Sequence, residues 1–196
     1  MSNTHLLYLH GFRSSPQSSK AQLVRQRVKQ AHPRLTFWCP QLPASPRAAI
    51  DLVMDGIAAW PREQMAVMGS SLGGFYATWV AEHTGCPAAL LNPAVDPARD
   101  LASYVGEHPA WHEPKESFYF HPGYVAELRD LTMSGLSQPQ RYYALIAKGD
   151  EVLDWREMRG RYPGAQIRLL EGGDHAISDF PDYLDEVLAF LDLAQD

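Results

Sequence analysis

The stretch MAVMGSSLGGF at residues 65–75 decides the fold of this chain. The apolar residues 65–68 predict a short buried strand, and the apolar residues after Ser71 recur at helical spacing. Residues 69–73 match the pattern G-x-S-x-G, in which a serine sits on a sharp turn between a strand and a helix. Glycine is needed beside such a serine, because a side chain at 69 or 73 would collide with the neighbouring turn. The stretch therefore predicts a strand, a tight turn that presents Ser71, and a helix.

Strand and helix patterns alternate along the rest of the chain. This alternation predicts an α/β fold with a mostly parallel sheet of about six strands, flanked by helices. Ser18 or Ser19 is expected to cap the first helix, and Ser45 followed by Pro46 is typical of the start of the second. The predicted strands are 5–9, 35–38, 65–68, 88–91, 142–147 and 166–170, and the second and last helices are predicted at 46–59 and 181–193.

Residues 96–140 interrupt the alternation. The segment contains five prolines and several aromatic residues, and it is too long for a plain connection between the strands predicted at 88–91 and 142–147. Two short helical patterns lie within it, at residues 97–105 and 123–131. We expect this insertion to be a lid or a substrate-binding region, and a structural segment that only covers a sheet edge is the alternative.

Length and composition indicate one ordinary globular domain over residues 1–196, since 45% of the residues are hydrophobic and 20% are charged. The net charge of −6 argues against nucleic acid as a partner, because phosphate binding needs a surplus of Lys and Arg. No apolar run approaches the length of a membrane span. The two cysteines suggest neither a disulfide framework nor a zinc site. We expect a cytoplasmic protein without metal or cofactor, and the oligomeric state stays open.

A serine nucleophile needs a base, and His175 is the candidate. It directly follows the strand predicted at 166–170, and it is the only histidine after Asp150. In α/β-hydrolases the acid and the base each follow a late strand, in the order Ser, Asp or Glu, His. Asp150 is the first carboxylate after the strand predicted at 142–147, so we expect it to orient His175. Glu151 and Asp154 stay open as alternatives for the acid.

The loop after the first predicted strand is expected to help form an oxyanion hole. Hydrolases of this fold use one backbone amide from that loop and one from the residue after the nucleophile. The candidates are the N–H groups of Phe12 and Leu72. Gly11 is expected to let the backbone approach the substrate carbonyl, and His10 is expected to brace the loop by hydrogen bonding rather than to act as a base.

Two further positions are assigned to substrate binding. Asn92 ends the strand predicted at 88–91, next to the expected site, where it either shapes an acyl pocket or only turns the chain. Phe120 belongs to an aromatic run at residues 118–120. These aromatic side chains either line an apolar acyl site or form a small core within the insertion.

Five motifs together strongly resemble the YqiA-like esterase family of bacteria, a group of compact α/β-hydrolases. They fall in family order over nearly the whole chain. The resemblance implies that Ser71 is the nucleophile, Asp150 the acid and His175 the base, and that the substrates are carboxylic esters and acyl-CoA thioesters. The motifs are YLHGFRSSP at 8–16, GSSLGGFYA at 69–77, LNPAV at 91–95, GDEVLD at 149–154 and GGDH at 172–175.

The resulting hypothesis is a serine esterase that acts on a small-molecule ester or acyl-CoA substrate through an acyl-enzyme intermediate. One alternative is a non-catalytic protein that uses residues 96–140 to bind a ligand or a partner. A serine peptidase is a further alternative, although the insertion is short for gating a peptide.

Overall fold

A parallel β-sheet forms the centre of the molecule. The computed structural model describes residues 2–109 and 117–194. The strands are β1 (His5–Leu9), β2 (Thr36–Trp38), β3 (Met65–Ser70), β4 (Ala88–Leu91), β5 (Gly106–Pro109), β6 (Ser117–Phe120), β7 (Tyr142–Ala147) and β8 (Gln166–Leu170). Six of them form one sheet in the order β2-β1-β3-β4-β7-β8, in which every neighbouring pair is parallel.

Helices cover both faces of this sheet. Side chains alternate along a strand, so Leu7 and Leu9 face one layer while Leu6 and Tyr8 face the other. The first layer contains α2, α3, α5 and α6, and the second contains α1 and α7. The helices are α1 (Ser19–Ala31), α2 (Pro46–Gly56), α3 (Leu72–Thr84), α4 (Pro97–Asp100), α5 (Pro122–Asp130), α6 (Trp155–Arg161) and α7 (Leu184–Phe190). None of the helices within the described ranges is long and apolar enough to cross a bilayer.

The six strands predicted from the sequence are confirmed, and most differences lie at the ends of helices. Ser18 caps α1, since its Oγ accepts from the Ala21 N–H. The last helix is shorter than predicted because a 3₁₀ turn, Phe180–Asp182, precedes it. The sequence patterns did not predict α6, whose only buried residue is Met158. A helix with a single buried side chain shows no apolar stripe in the sequence.

The insertion contains a β-hairpin that its sequence did not predict. Strands β5 and β6 pair antiparallel, between the short helix α4 and the helix α5. The β5 sequence Gly-Glu-His-Pro has low strand propensity, which hides it from pattern analysis. Residues 110–116 of the predicted insertion lie outside the described residues. The described part joins the main core, because Phe120, Val125 and Leu128 are buried in the same cluster as α2 and α3.

Helix α3 packs so closely on β1 that only glycine fits at position 73. A Cβ atom there would lie 2.0 Å from the Leu9 carbonyl oxygen, and backbone cannot move away as a flexible side chain can. We expect Gly73→Ala to lower the free energy of unfolding by about 3 kcal/mol. Gly160→Ala in α6 is the control, since its added methyl would meet nothing within 4 Å. It should be neutral or raise the stability by about 0.5 kcal/mol.

Urea unfolding of the two variants, followed by circular dichroism, measures this difference. Equal stability of Gly73→Ala and Gly160→Ala would contradict the close approach of α3 to β1.

Candidate active site

Ser71 lies on a strained turn at the carboxyl end of β3. Its backbone has φ 55° and ψ −123°, and it forms the N-cap of α3. A non-glycine residue adopts such angles only where its surroundings enforce them. Here the Ser71 N–H donates to the Leu91 carbonyl at 3.0 Å, and the Ser71 carbonyl accepts from the Ala94 N–H at 3.0 Å. Both hydrogen bonds connect the turn to the end of β4, and they hold the Ser71 side chain at the carboxyl end of the sheet.

His175 lies between Ser71 and Asp150. Its Nε2 is 3.0 Å from Ser71 Oγ, and its Nδ1 is 2.8 Å from Asp150 Oδ2. An ionised carboxylate can only accept, so Nδ1 carries the proton and Nε2 is the acceptor for the Ser71 hydroxyl. This tautomer is the one that a general base for Ser71 needs.

The Asp150 carboxylate is completely buried, and both of its oxygens accept hydrogen bonds. While Oδ2 binds His175, Oδ1 accepts from the backbone N–H groups of Val152 and Leu153, each at 2.8 Å. Two backbone donors and one imidazole N–H compensate for the loss of water around the carboxylate. They also fix its orientation, and therefore the plane of the imidazole ring.

The two alternative acids have other partners. Glu151 Oε2 accepts from the backbone N–H of His175 at 2.9 Å, so it holds the loop and not the imidazole ring. Asp154 Oδ1 accepts from the Arg156 N–H at 2.8 Å, as the N-cap of α6. Among these three carboxylates of the described chain, only Asp150 is bonded to the imidazole of His175.

The loop after β1 comes within contact distance of Ser71. A Cβ atom on Gly11 would lie 3.2 Å from Ser71 Cβ and 3.7 Å from its Oγ, so a larger residue would crowd the hydroxyl. His10 is buried, and its Nε2 accepts from the Leu42 N–H at 3.0 Å while its Nδ1 donates to the Gly11 carbonyl at 3.0 Å. The expected bracing role of His10 is therefore confirmed.

Phe12 is held by aromatic rings of the insertion. Its ring makes edge contacts with Tyr104, Phe118 and Phe120, at centroid distances of 5.7, 5.7 and 5.3 Å, and with His108 at 6.1 Å. Phe120 is only 1% exposed and lies in the core beneath Phe12. This corrects the expectation that Phe120 contacts the substrate. Its ring packs against the ring of Phe12, whose backbone N–H is a candidate oxyanion donor.

Asn92 is a second correction, because it lies beneath the site and is completely buried. Its Oδ1 accepts from the Ala147 N–H at 2.8 Å. Its Nδ2 donates to the carbonyl oxygens of Asp174 and His175, at 3.0 and 3.2 Å. The side chain therefore joins the end of β7 to the loop that carries His175. The only sequence signal is an asparagine at a strand end, since asparagine tolerates the left-handed backbone seen here, with φ 41°.

Two clefts meet at Ser71 and His175. The polar cleft has a volume of about 590 Å³ and runs towards the start of α1. The apolar cleft has a volume of about 350 Å³ and runs towards α4. The two clefts differ in the side chains that line them, since charged and hydroxyl side chains are frequent in the first and aliphatic side chains in the second. The polar cleft is lined by Arg13, Ser14, Gln17, Ser19 and Lys20, and the apolar cleft by Leu72, Ala94, Leu101, Tyr104, Val152 and Leu153.

A third cavity, of about 280 Å³, lies on the other side of Phe12 and is lined by Leu42, Tyr76 and Phe118. Ser71 is not among the described residues that line it. Within residues 2–109 and 117–194, no three His, Cys, Asp or Glu side chains come together as a metal site would require.

The buried amide of Asn92 generates a prediction. In Asn92→Asp the new carboxylate would still accept from Ala147 but would face two carbonyl oxygens. An uncompensated buried charge typically costs about 3 kcal/mol. We expect a stability loss of that size at neutral pH, and a smaller loss at acidic pH, where a protonated carboxyl can donate to a carbonyl.

Chemical unfolding at both pH values measures the effect. Gln26→Glu on the exposed face of α1 is the control for the added charge. A stability loss that is the same for the two variants would contradict the role of the Asn92 amide.

Solved structures share this fold. Alpha/beta hydrolase domain-containing protein 10 from mouse has a TM-score of 0.69 at 14% identity, over 95% of this chain and 90% of that chain. A structure from work on LipS and LipT, two metagenome-derived lipolytic enzymes, has a TM-score of 0.65 at 20% identity, over 97% and 94%. Est1E from Butyrivibrio proteoclasticus, with ferulic acid bound, has a TM-score of 0.66 at 11% identity, over 94% and 89%. These similarities confirm the predicted α/β-hydrolase fold.

A family model provides the closer relationship. The model described as "Uncharacterised protein family (UPF0227)" matches residues 5–192. The match extends from β1 to the residues just after α7, and it includes Ser71, Asp150 and His175. The chain therefore belongs to the UPF0227 family, the YqiA-like family, and it has the α/β-hydrolase fold.

Proposed function

We propose that this protein is a serine esterase that hydrolyses small-molecule carboxylic esters. The observation that carries the proposal is the hydrogen-bonded chain from Asp150 through His175 to Ser71, at a strained strand-to-helix turn. Structural neighbours described as esterases and lipolytic enzymes support the same class of reaction.

In the first half of the reaction, Ser71 Oγ attacks the ester carbonyl carbon while His175 Nε2 takes the hydroxyl proton. The carbonyl oxygen becomes an oxyanion. The tetrahedral intermediate then collapses, the bond from carbon to the leaving oxygen breaks, and His175 gives its proton to that oxygen. The products of this half are an acyl-Ser71 and a free alcohol.

In the second half, water takes the place of the alcohol. His175 removes a proton from the water, whose oxygen attacks the acyl carbon and forms a second tetrahedral intermediate. Collapse of this intermediate releases the carboxylic acid, and His175 returns the proton to Ser71. Asp150 stabilises the imidazolium form of His175 in both halves and remains ionised.

The developing oxyanion is assigned to the N–H groups of Phe12 and Leu72. Leu72 is the first residue of α3, where the N–H groups of the first turn have no partner within the helix and the helix dipole favours negative charge. Phe12 follows Gly11, whose backbone lies against Ser71. Removal of one such donor typically costs about 10²- to 10³-fold in kcat.

A thioester such as an acyl-CoA is part of the proposal, because one triad can expel either an alkoxide or a thiolate. Turnover of a p-nitrophenyl ester and of an acyl-CoA with the same acyl chain distinguishes the two leaving groups.

Labelling with a fluorophosphonate probe tests the nucleophile. We expect the wild type to be labelled and Ser71→Ala to lose the label, since the probe bonds to an activated serine oxygen. Ser70→Ala is the matched control, because it removes the adjacent hydroxyl and leaves the triad in place, so it should retain labelling. Equal labelling of the wild type and Ser71→Ala would contradict the esterase proposal and favour a non-catalytic binding protein.

Substitution of the three neighbouring carboxylates tests the acid. We expect Asp150→Asn to lower kcat by about 10³- to 10⁴-fold, because an amide cannot hold the required tautomer of His175. Asp154→Asn should have little effect, since its carboxylate caps α6. Glu151→Gln should have an intermediate effect, through the backbone of His175. Steady-state kinetics on one ester decides, and an Asp154→Asn variant that is as impaired as Asp150→Asn would reverse the assignment.

A further inference from the structure

We propose that the site selects esters whose leaving group carries a negative charge, bound by Lys20 and Arg13 in the polar cleft, while an apolar acyl group lies in the apolar cleft. This inference rests on the proposed esterase function of Ser71. It adds the chemical class of the substrate and the residues that select it.

The charge of the polar cleft is opposite to that of the whole protein. The chain has a net charge of −6, yet the polar cleft is lined by two cations. No Asp or Glu is found among the described residues that line it. Positive side chains without acidic neighbours in the lining of a cleft favour the binding of a negatively charged ligand.

Lys20 brings a positive charge close to the reacting atoms. It lies in the first turn of α1, is half-buried, and its Nζ donates to the carbonyl of Ala176, the residue after His175. An ammonium group has three N–H donors, so Lys20 can bond Ala176 and a bound anion together. Burial lowers the pKa of Lys20 to about 8, while Asp174 and Asp150 act in the opposite direction. The ammonium form therefore predominates at neutral pH.

The acidic neighbour of Lys20 does not occupy the cleft. The Asp174 carboxylate accepts hydrogen bonds from the N–H and the Oγ of Ser178, and these bonds lower its pKa. Asp174 is not among the described residues that line the polar cleft. Asp174 therefore favours the charged form of Lys20 without itself lining the cleft.

Arg13 supplies the second cation at the junction of the two clefts. Its backbone is left-handed, with φ 58°, and its Nε donates to the carbonyl of Pro109 in the hairpin at 3.3 Å. Arg13 lines both clefts that contain Ser71. The guanidinium group is therefore anchored to the insertion beside the reacting centre.

The apolar cleft fits the acyl group. Leu101, Tyr104, Val152 and Leu153 line it, and Val152 and Tyr104 are 59% and 39% exposed. Exposed apolar side chains at the mouth of a cleft favour an apolar ligand over water. Asp100 also lines this cleft, but its carboxylate is paired with Arg99 at 2.8 Å.

The side chains that line the two clefts decide which one receives the leaving group. His175 protonates the leaving oxygen, so the leaving group departs beside His175. His175 lines both clefts, whereas Lys20, bonded to the carbonyl of Ala176, lines only the polar one of the two. When the acyl group lies against Val152 and Leu153 in the apolar cleft, the leaving group departs from His175 into the polar cleft, which Lys20 lines.

Three butyrate esters that differ in one substituent test the proposal. The leaving groups are para-carbamoylphenol, para-carboxyphenol and para-phosphonooxyphenol, of which the first is neutral and the others are a carboxylate and a phosphate. We expect at least one anionic ester to exceed the neutral ester by about tenfold in kcat/KM, mainly through KM. Comparison of the carboxylate with the phosphate identifies the preferred anion.

Variants of Lys20 separate charge from structure. We expect Lys20→Met to remove most of the preference through a higher KM for the anionic ester, and Lys20→Arg to retain it. Lys29→Met is the control, because Lys29 is exposed on the same helix and does not line the cleft. Added salt should reduce the preference of the wild type, since exposed charges are screened.

Two results would overturn the inference. One is equal kcat/KM for the neutral and both anionic esters in the wild type. The other is a Lys20→Met variant that loses the same factor on every ester, since Lys20 would then act only on the loop of His175. Ser71→Ala is measured in parallel, because hydrolysis that continues without Ser71 would refute the esterase proposal itself.

Discussion

The contact between the first turn of α3 and the carboxyl end of β1 constrains the rest of the site. Gly73 lies against the Leu9 carbonyl, so the helix begins directly above the sheet. The chain must reverse within one residue after β3, and Ser71 takes a left-handed backbone for that reason. The same contact brings Gly11 against Ser71. The strained turn at Ser71 therefore brings the Ser71 hydroxyl, the first amides of α3 and the loop after β1 close together.

Buried polar bonds position the other half of the site. Asp150 and His175 lie on different loops, after β7 and β8, and hydrogen bonds as well as apolar packing hold both loops. Asn92 connects the end of β7 to the His175 loop, and Asp150 is bonded by two backbone amides. Such groups are costly to bury unless every partner is present. The geometry of His175 thus depends on the side chains of Asn92 and Asp150, which are both completely buried.

Local patterns predicted a large part of this architecture. Six strands, the turn at Ser71 and the order of Ser71, Asp150 and His175 follow from short-range periodicity and from the position of polar residues after strands. The helix α6 and the hairpin of β5 and β6 did not follow. The first buries one side chain, and the second contains glycine and proline in a four-residue strand. Segments with such weak local preferences adopt a regular structure only because they pack against the core.

The sequence by itself determined the fold class, the strained serine and the candidates for acid and base, because these depend on residue type and on neighbours along the chain. Only the tertiary structure decided which of three neighbouring carboxylates bonds the imidazole of His175, because Asp150 and His175 are 25 residues apart along the chain. It also shows that Asn92 and Phe120 are buried beneath the site, where the sequence had predicted contact with the substrate. It places Lys20 within hydrogen-bond distance of Ala176, the residue after His175. These contacts join segments that are distant along the chain and meet at the carboxyl ends of the parallel strands. A local sequence pattern therefore cannot predict them.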